Sequence, residues 1–153
     1  MTPNQVFSIV NVVAIGAWVL LAVAPGRRSA NVVAGMAVPT LLAAAYIVLI
    51  VTKWGDSAGG FSSLPAVASL FSNPWLLLAG WTHYLVFDLL VGGWEVRDAR
   101  ARGIPHLLVL PCLALTFLFG PAGWMLYIFS RALRTSRLRS VPGWVQAGAH
   151  EES

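Results

Sequence analysis

Four apolar runs dominate this chain, and each is long enough to cross a bilayer as a helix. Crossing takes about 20 mostly apolar residues. The first run covers residues 5–24 and stops at Pro25-Gly26-Arg27-Arg28. The second covers residues 30–52 and ends at Lys53. The third opens at Asn73-Pro74, where Asn can cap a helix and Pro can take its first position, and continues to about Asp98. The fourth covers residues 105–130, just before Arg131. Of 153 residues, 10% are Asp, Glu, Lys or Arg, against roughly 25% in an ordinary soluble domain. That leaves too little charge to cover a soluble surface, and a disordered chain would be more polar. The expected fold is an all-α integral membrane protein. It has four transmembrane helices in a small bundle over residues 1–134 and a polar, disordered tail over residues 135–153.

The boundaries carry their own signals. The first run reads as a retained span rather than a signal peptide. Residues 1–5 hold no Lys or Arg, and a cut after Ala22-Val23-Ala24 would fall before Pro25. Pro39, Pro111 and Pro121 should each bend the helix they occupy. Between the second and third runs, Leu64, Val67, Ala68 and Phe71 repeat at i, i+3, i+4 and i+7, which predicts one short interfacial helix. Trp54, Trp75, Trp94 and Trp144 stand near run ends, as an aromatic belt requires. Nine of the ten basic residues are Arg, in short groups between the runs, which suits membrane anchoring and not nucleic acid. With four spans both termini share one side. Lys53, Arg131, Arg134, Arg137 and Arg139 then face Arg27, Arg28, Arg97, Arg100 and Arg102, a balance that sets no orientation. The single Cys112 sits in an apolar run and reads as a buried, inert thiol.

One run is not purely apolar. The third holds His83, Asp88, Glu95 and Asp98, three of the chain's six acidic residues among them. An ionisable residue inside a span is costly and marks a functional hypothesis. At 100° per residue, Trp81, Asp88 and Glu95 recur every seven positions, each about 20° from the last, with Tyr84 and Gly92 on the same face. His83 lies about 140° and Asp98 about 80° from Asp88, so a second helix must supply the opposite wall. The turn Gly103-Ile104-Pro105 folds the chain back and returns His106 toward the level of Glu95 and Asp98. Gly92-Gly93 lets two helices approach closely.

Three chemical readings are open at this point. Asp88 or Glu95 with His106 would form a general acid/base pair. His83, Asp88, Glu95, Asp98 and His106 would bind a divalent metal, although no standard ligand spacing is present. Or the carboxylates only pair with Arg97, Arg100 and Arg102 to lock the helix hairpin, a reading that suits Asp98 best and Asp88 least. Asn11, inside the first span, should make an interhelical hydrogen bond. Trp81 would stack on a flat apolar ligand or simply pack.

The block Gly80-Trp81-Thr82-His83-Tyr84, Phe87-Asp88, Trp94-Glu95-Val96-Arg97-Asp98-Ala99 and Gly103-Ile104-Pro105-His106 resembles the family of the plant protein abscisic acid deficient 4. Pro111-Cys112 and Phe119-Gly120-Pro121-Ala122-Gly123 extend the resemblance, as do Phe7, Asn11, Trp18 and Pro25. Its plant members are required to make neoxanthin from violaxanthin in plastid membranes. The resemblance implies a membrane-embedded isomerase-type enzyme acting on a carotenoid or related isoprenoid lipid. Epoxide opening with proton loss needs an acid and a base but no redox cofactor. His83, Asp88, Glu95, Asp98 and His106 would be catalytic, and Trp81, Tyr84, Asn11 and Trp94 would line the substrate. The alternative is a non-enzymatic lipid- or pigment-binding subunit that assists a partner enzyme. Small size points to association, as a homo-oligomer or with that partner. Ala- and Arg-rich usage points to a bacterial inner membrane.

Overall fold

The structure is a computed structural model and describes residues 1–139. Helix α1 spans Pro3–Val23, α2 Arg28–Lys53, α3 Leu64–Phe71, α4 Pro74–Ala101, α5 His106–Phe119 and α6 Pro121–Arg139. No strand occurs among the described residues. Of these helices α1, α2 and α4 are long and apolar enough to cross a membrane.

Local chemistry sets the ends. Thr2 caps α1 in a reciprocal box. The Gln5 amide donates to Thr2 Oγ1 at 3.3 Å and the Thr2 amide to Gln5 Oε1 at 2.9 Å. Asn73 Oδ1 accepts from the Trp75 amide at 2.9 Å and Pro74 takes the first position of α4, as the sequence implied. Ser63 caps α3 through the Ala66 amide. The buried residue of α3 is Leu70, whereas Leu64 of the expected apolar stripe is exposed. In α2 the irregularity precedes Pro39. Residues Val33–Ala37 form a π turn, closed by the Val38 amide on the Val33 carbonyl. A proline ring clashes with the carbonyl four residues earlier, here Gly35, and the widened turn makes room for it.

The fourth run departs from expectation. Instead of one bent span, it is a helical hairpin. At 14 residues α5 is about 21 Å long, short of the roughly 30 Å hydrocarbon layer. Helix α5 passes through Pro111 and stops at Gly120, whose φ of +32° reverses the chain before Pro121 opens α6. The two arms then run antiparallel. A Cβ at Gly123 would strike Thr116, and the Ser130 hydroxyl reaches the Cys112 thiol. In one continuous helix these pairs would be about 10 and 27 Å apart.

Helix α4 is the axis of the bundle. The first turn of α1 meets Pro74 and Trp81, and Trp18 further along meets Gly92, so α1 and α4 run parallel. Helix α2 runs the other way, with Gly35 against Gly93 and Tyr46 against His83. A Cβ on Gly93 would lie 2.6 Å from the Gly35 Cα, so the expected close approach is made by α2. The hairpin lies beside the second half of α4. Its tip, Gly120, abuts Asp88 near the middle of the span, and Tyr127 and Arg131 of α6 reach Asp98 near its end. The hairpin therefore enters and leaves by the same end of the bundle. Arg131 and Arg134 consequently join Arg27, Arg28, Arg97, Arg100 and Arg102 at that end, not Lys53 at the other. The even split expected from four spans is lost, with these seven Arg gathered at one end and Lys53 at the other. Helix α6 runs through residue 139, past the expected start of the tail at residue 135. Residues 140–153, with Trp144 and His150, lie outside the described part.

Candidate functional site

Three positions on α4, each about one turn from the next, organise the centre of the bundle: Asp88, Gly92 and Glu95. Asp88 is 8% exposed and Glu95 fully buried. Gly92 is small because the Trp18 ring occupies its space. A Cβ there would be 2.7 Å from the indole. Trp18 in turn meets Phe117 of α5 edge-on, with ring centroids 5.6 Å apart.

The hairpin supplies the second wall. Thr116 Oγ1 donates to Glu95 Oε1 at 3.0 Å. The Tyr84 hydroxyl donates to the Phe117 carbonyl at 2.9 Å and lies within hydrogen-bonding reach of the Asp88 carboxyl. Gly120 is required at the tip twice over, by its positive φ and because a Cβ would lie 2.7 Å from Asp88 Oδ1. Four buried side-chain polar atoms lack a hydrogen-bond partner among the described residues, and three belong to this layer: Trp18 Nε1, Asp88 Oδ2 and Glu95 Oε2. Buried polar atoms are nearly always satisfied, so such a cluster calls for a reason. Among the described residues no cation pairs with either carboxyl. Glu95 makes its side-chain hydrogen bond with the Thr116 hydroxyl.

Apolar grooves open toward the lipid on both sides of Tyr84 and Phe117. One, about 440 Å3, is lined by Phe71, Leu77, Gly80, Trp81, Tyr84 and Leu118. The other, about 390 Å3, has Trp18, Val19, Leu113 and Phe117 among its lining. Trp81 closes the first groove against α1. Its Nε1 donates to Asn11 Oδ1 at 3.2 Å, the expected interhelical bond, and its ring meets Tyr84 at 5.4 Å and Phe7 at 5.7 Å.

The structure divides the residues singled out from sequence. It gathers Asp88, Glu95, Trp81, Tyr84 and Asn11 along one side of α4. His83 is exposed on the other side, stacked with Phe87 and Tyr46, in a recess of about 270 Å3. His106 Nε2 contacts the Ala22 carbonyl at 2.8 Å and ties the start of α5 to the end of α1. Asp98 binds Arg102 at 2.9 Å, Arg131 at 3.5 Å and the Tyr127 hydroxyl at 2.7 Å, a lock between α4 and α6. Trp94 packs edge-on against Tyr127 in that lock, with centroids 5.4 Å apart. No three of His, Cys, Asp and Glu approach closely enough to hold a metal ion among the described residues. Sequence reasoning missed Trp18, Thr116, Phe117 and Gly120 as parts of the site. Thr116 was visible as a lone hydroxyl in an apolar run, and Gly120-Pro121 as a turn dipeptide.

Residues 5–127 match the family described as ABA DEFICIENT 4-like. The chain belongs to that family. The match takes in α1 to α5 and the first turns of α6, so every residue of the central layer lies within it. No curated protein and no solved structure matches the chain.

Proposed function

We propose that this protein is a membrane-embedded isomerase-type enzyme that acts on a carotenoid or related isoprenoid lipid by acid/base chemistry. The observation that carries the reading is the pair of buried carboxyls, Asp88 and Glu95, each with an unpartnered oxygen, set behind Tyr84, Trp18 and Phe117, which line apolar grooves. A long apolar substrate would enter sideways from the membrane and lie against Trp81, Tyr84 and Phe117. Its polar end group would take up the unpaired oxygens. In the chemistry implied by the family, a proton is delivered to an epoxide oxygen, the C–O bond breaks, and a carbon-bound proton leaves as the new double bond forms. Atoms and electrons balance as an isomerisation. Tyr84 lines the groove and contacts Asp88, so this pair would exchange the proton with the substrate. Glu95, fixed by Thr116, would be the second carboxyl. Preorganised groups in a water-poor site are effective here because nothing must reorient during the reaction.

The test is incubation of the protein in lipid nanodiscs with epoxy-carotenoids, followed by chromatography of the pigments. Asp88→Asn and Glu95→Gln should each lower product formation by at least a hundredfold, while bound pigment still co-purifies. Retained pigment without turnover in the unaltered protein would favour the subunit reading instead. Equal product from both variants and the parent would sink the assignment of these carboxyls.

A further inference from the structure

At the arginine-rich end of the bundle, α2 and α4 leave a recess of about 180 Å3 lined by Arg28, Asn31, Val32, Met36, Arg97 and Arg100. Three guanidinium side chains line it and no carboxylate does. Asp98, on the same turn of α4, is engaged by Arg102, Arg131 and Tyr127. Arg28, Arg97 and Arg100 make no ion pair among the described residues. Arg97 is seated in a notch that needs two glycines. A Cβ on Gly35 would lie 2.7 Å from its Nη1, and one on Gly93 3.2 Å from it. Asn31 is 6% exposed, and its Nδ2 is committed to the Pro25 carbonyl at 2.8 Å and the Arg27 carbonyl at 3.2 Å. Its Oδ1 is left buried with no donor, the fourth unsatisfied atom among the described residues.

We propose that this recess binds the headgroup of an anionic phospholipid that carries a hydroxyl. Arginine forks suit phosphate oxygens, and basic pockets between membrane helices at one leaflet take lipid headgroups. The three arginines hold the phosphate, Asn31 Oδ1 accepts from the headgroup hydroxyl, and the acyl chains descend along Val32 and Met36. The shared chemistry with a free phosphate ion is the oxyanion alone. The apolar walls and the orphaned acceptor favour the lipid.

Native mass spectrometry of the full-length protein in detergent tests this. Phosphatidylglycerol should bind at least tenfold tighter than phosphatidylcholine. It should also bind severalfold tighter than phosphatidylmethanol, which has the same charge and no headgroup hydroxyl. The triple variant Arg28→Gln, Arg97→Gln, Arg100→Gln should fall to the phosphatidylcholine level, whereas Arg134→Gln, outside the recess, should match the parent. Arg100→Gln alone, an exposed change that leaves the fold intact, should weaken binding severalfold. Equal binding of phosphatidylglycerol and phosphatidylcholine, or an Arg100→Gln protein no weaker than Arg134→Gln, would overturn the site. Displacement by millimolar inorganic phosphate would overturn the lipid as its ligand, and equal binding of phosphatidylmethanol would overturn the role of Asn31.

Discussion

A single methyl group at Gly123 decides between a hairpin and a bent fourth span. In the hairpin, a Cβ at this position meets the Thr116 backbone and hydroxyl, with the Thr116 Cα 2.5 Å away. Ordinary carbon contacts begin near 3.5 Å, so the arms must separate by about 1 Å, an overpacking cost of about 1–3 kcal/mol. Thr116 also holds Glu95 at 3.0 Å. Moving it strips a buried carboxyl of that hydroxyl partner, for about 1–3 kcal/mol more. Alanine recovers up to about 1 kcal/mol over glycine in a helix. The expected net loss for Gly123→Ala is therefore about 1–6 kcal/mol. In a continuous span, residue 116 would be two turns away, and the same change would be neutral or stabilising. Reversible unfolding in mixed lipid–detergent micelles titrated with dodecyl sulfate gives the difference. In a double-mutant cycle, Thr116→Val should remove part of the Gly123→Ala penalty, because the Glu95 bond is then already lost. A Gly123→Ala protein as stable as the parent, or more so, would refute the hairpin.

The same architecture makes three further predictions. Reporters fused to the two ends should lie on opposite sides of the membrane, with the C-terminal one in the cytoplasm, because Arg-rich ends stay inside. Reporters on one side would restore four spans. Tyr127→Phe deletes a buried donor to Asp98 and should cost about 1–2 kcal/mol in the same unfolding assay, since Arg102 and Arg131 still hold the carboxylate. No change would remove Tyr127 from the lock. Gly16→Ala lies in the interior of α1 with nothing within 4 Å of the added methyl, and should stabilise by about 0.5–1 kcal/mol; a loss would mean that an unseen surface packs there.

How far the sequence could be read depended on whether a signal was local. The cap at Asn73, the turn at Gly103 and the apolar length of α1, α2 and α4 rest on neighbouring residues, and they appear in the structure near their expected places. The placement of Asp88 and Glu95 on one side with Trp81 followed from helical periodicity alone. The partners of those carboxyls did not. Thr116 and the hairpin tip come from a segment more than twenty residues downstream, and apolar content does not distinguish a helix that crosses from one that returns. His106 was placed at the correct level, but its rotation about α5 turns it toward Ala22 and away from Glu95.

The hairpin also explains why polar groups persist in mid-membrane. A continuous fourth helix would present only side chains at the level of Asp88, with its backbone amides and carbonyls bonded within itself. Non-helical backbone at that depth is tolerated only where protein buries it or where it lines a cavity. Gly120 meets the first condition, since the turn is buried against Asp88 and its amide still reaches the Thr116 carbonyl at 2.9 Å. The break at Gly120 sets Phe117, whose carbonyl takes the Tyr84 hydroxyl, beside Asp88, and it aims Thr116 at Glu95. The turn and the side chain at 88 are thus fitted to one another in shape. Asp88 fills the space a side chain at residue 120 would need, and the tip shields Asp88 from lipid. Packing alone would be met by an apolar residue at 88, which would remove an unsatisfied oxygen at no geometric cost. A carboxyl at that position is better explained by a ligand or a proton than by the fold, and Asp88→Leu separates the two. It should leave unfolding stability equal or higher while abolishing pigment conversion, whereas a loss of stability by more than about 2 kcal/mol would make Asp88 a structural residue.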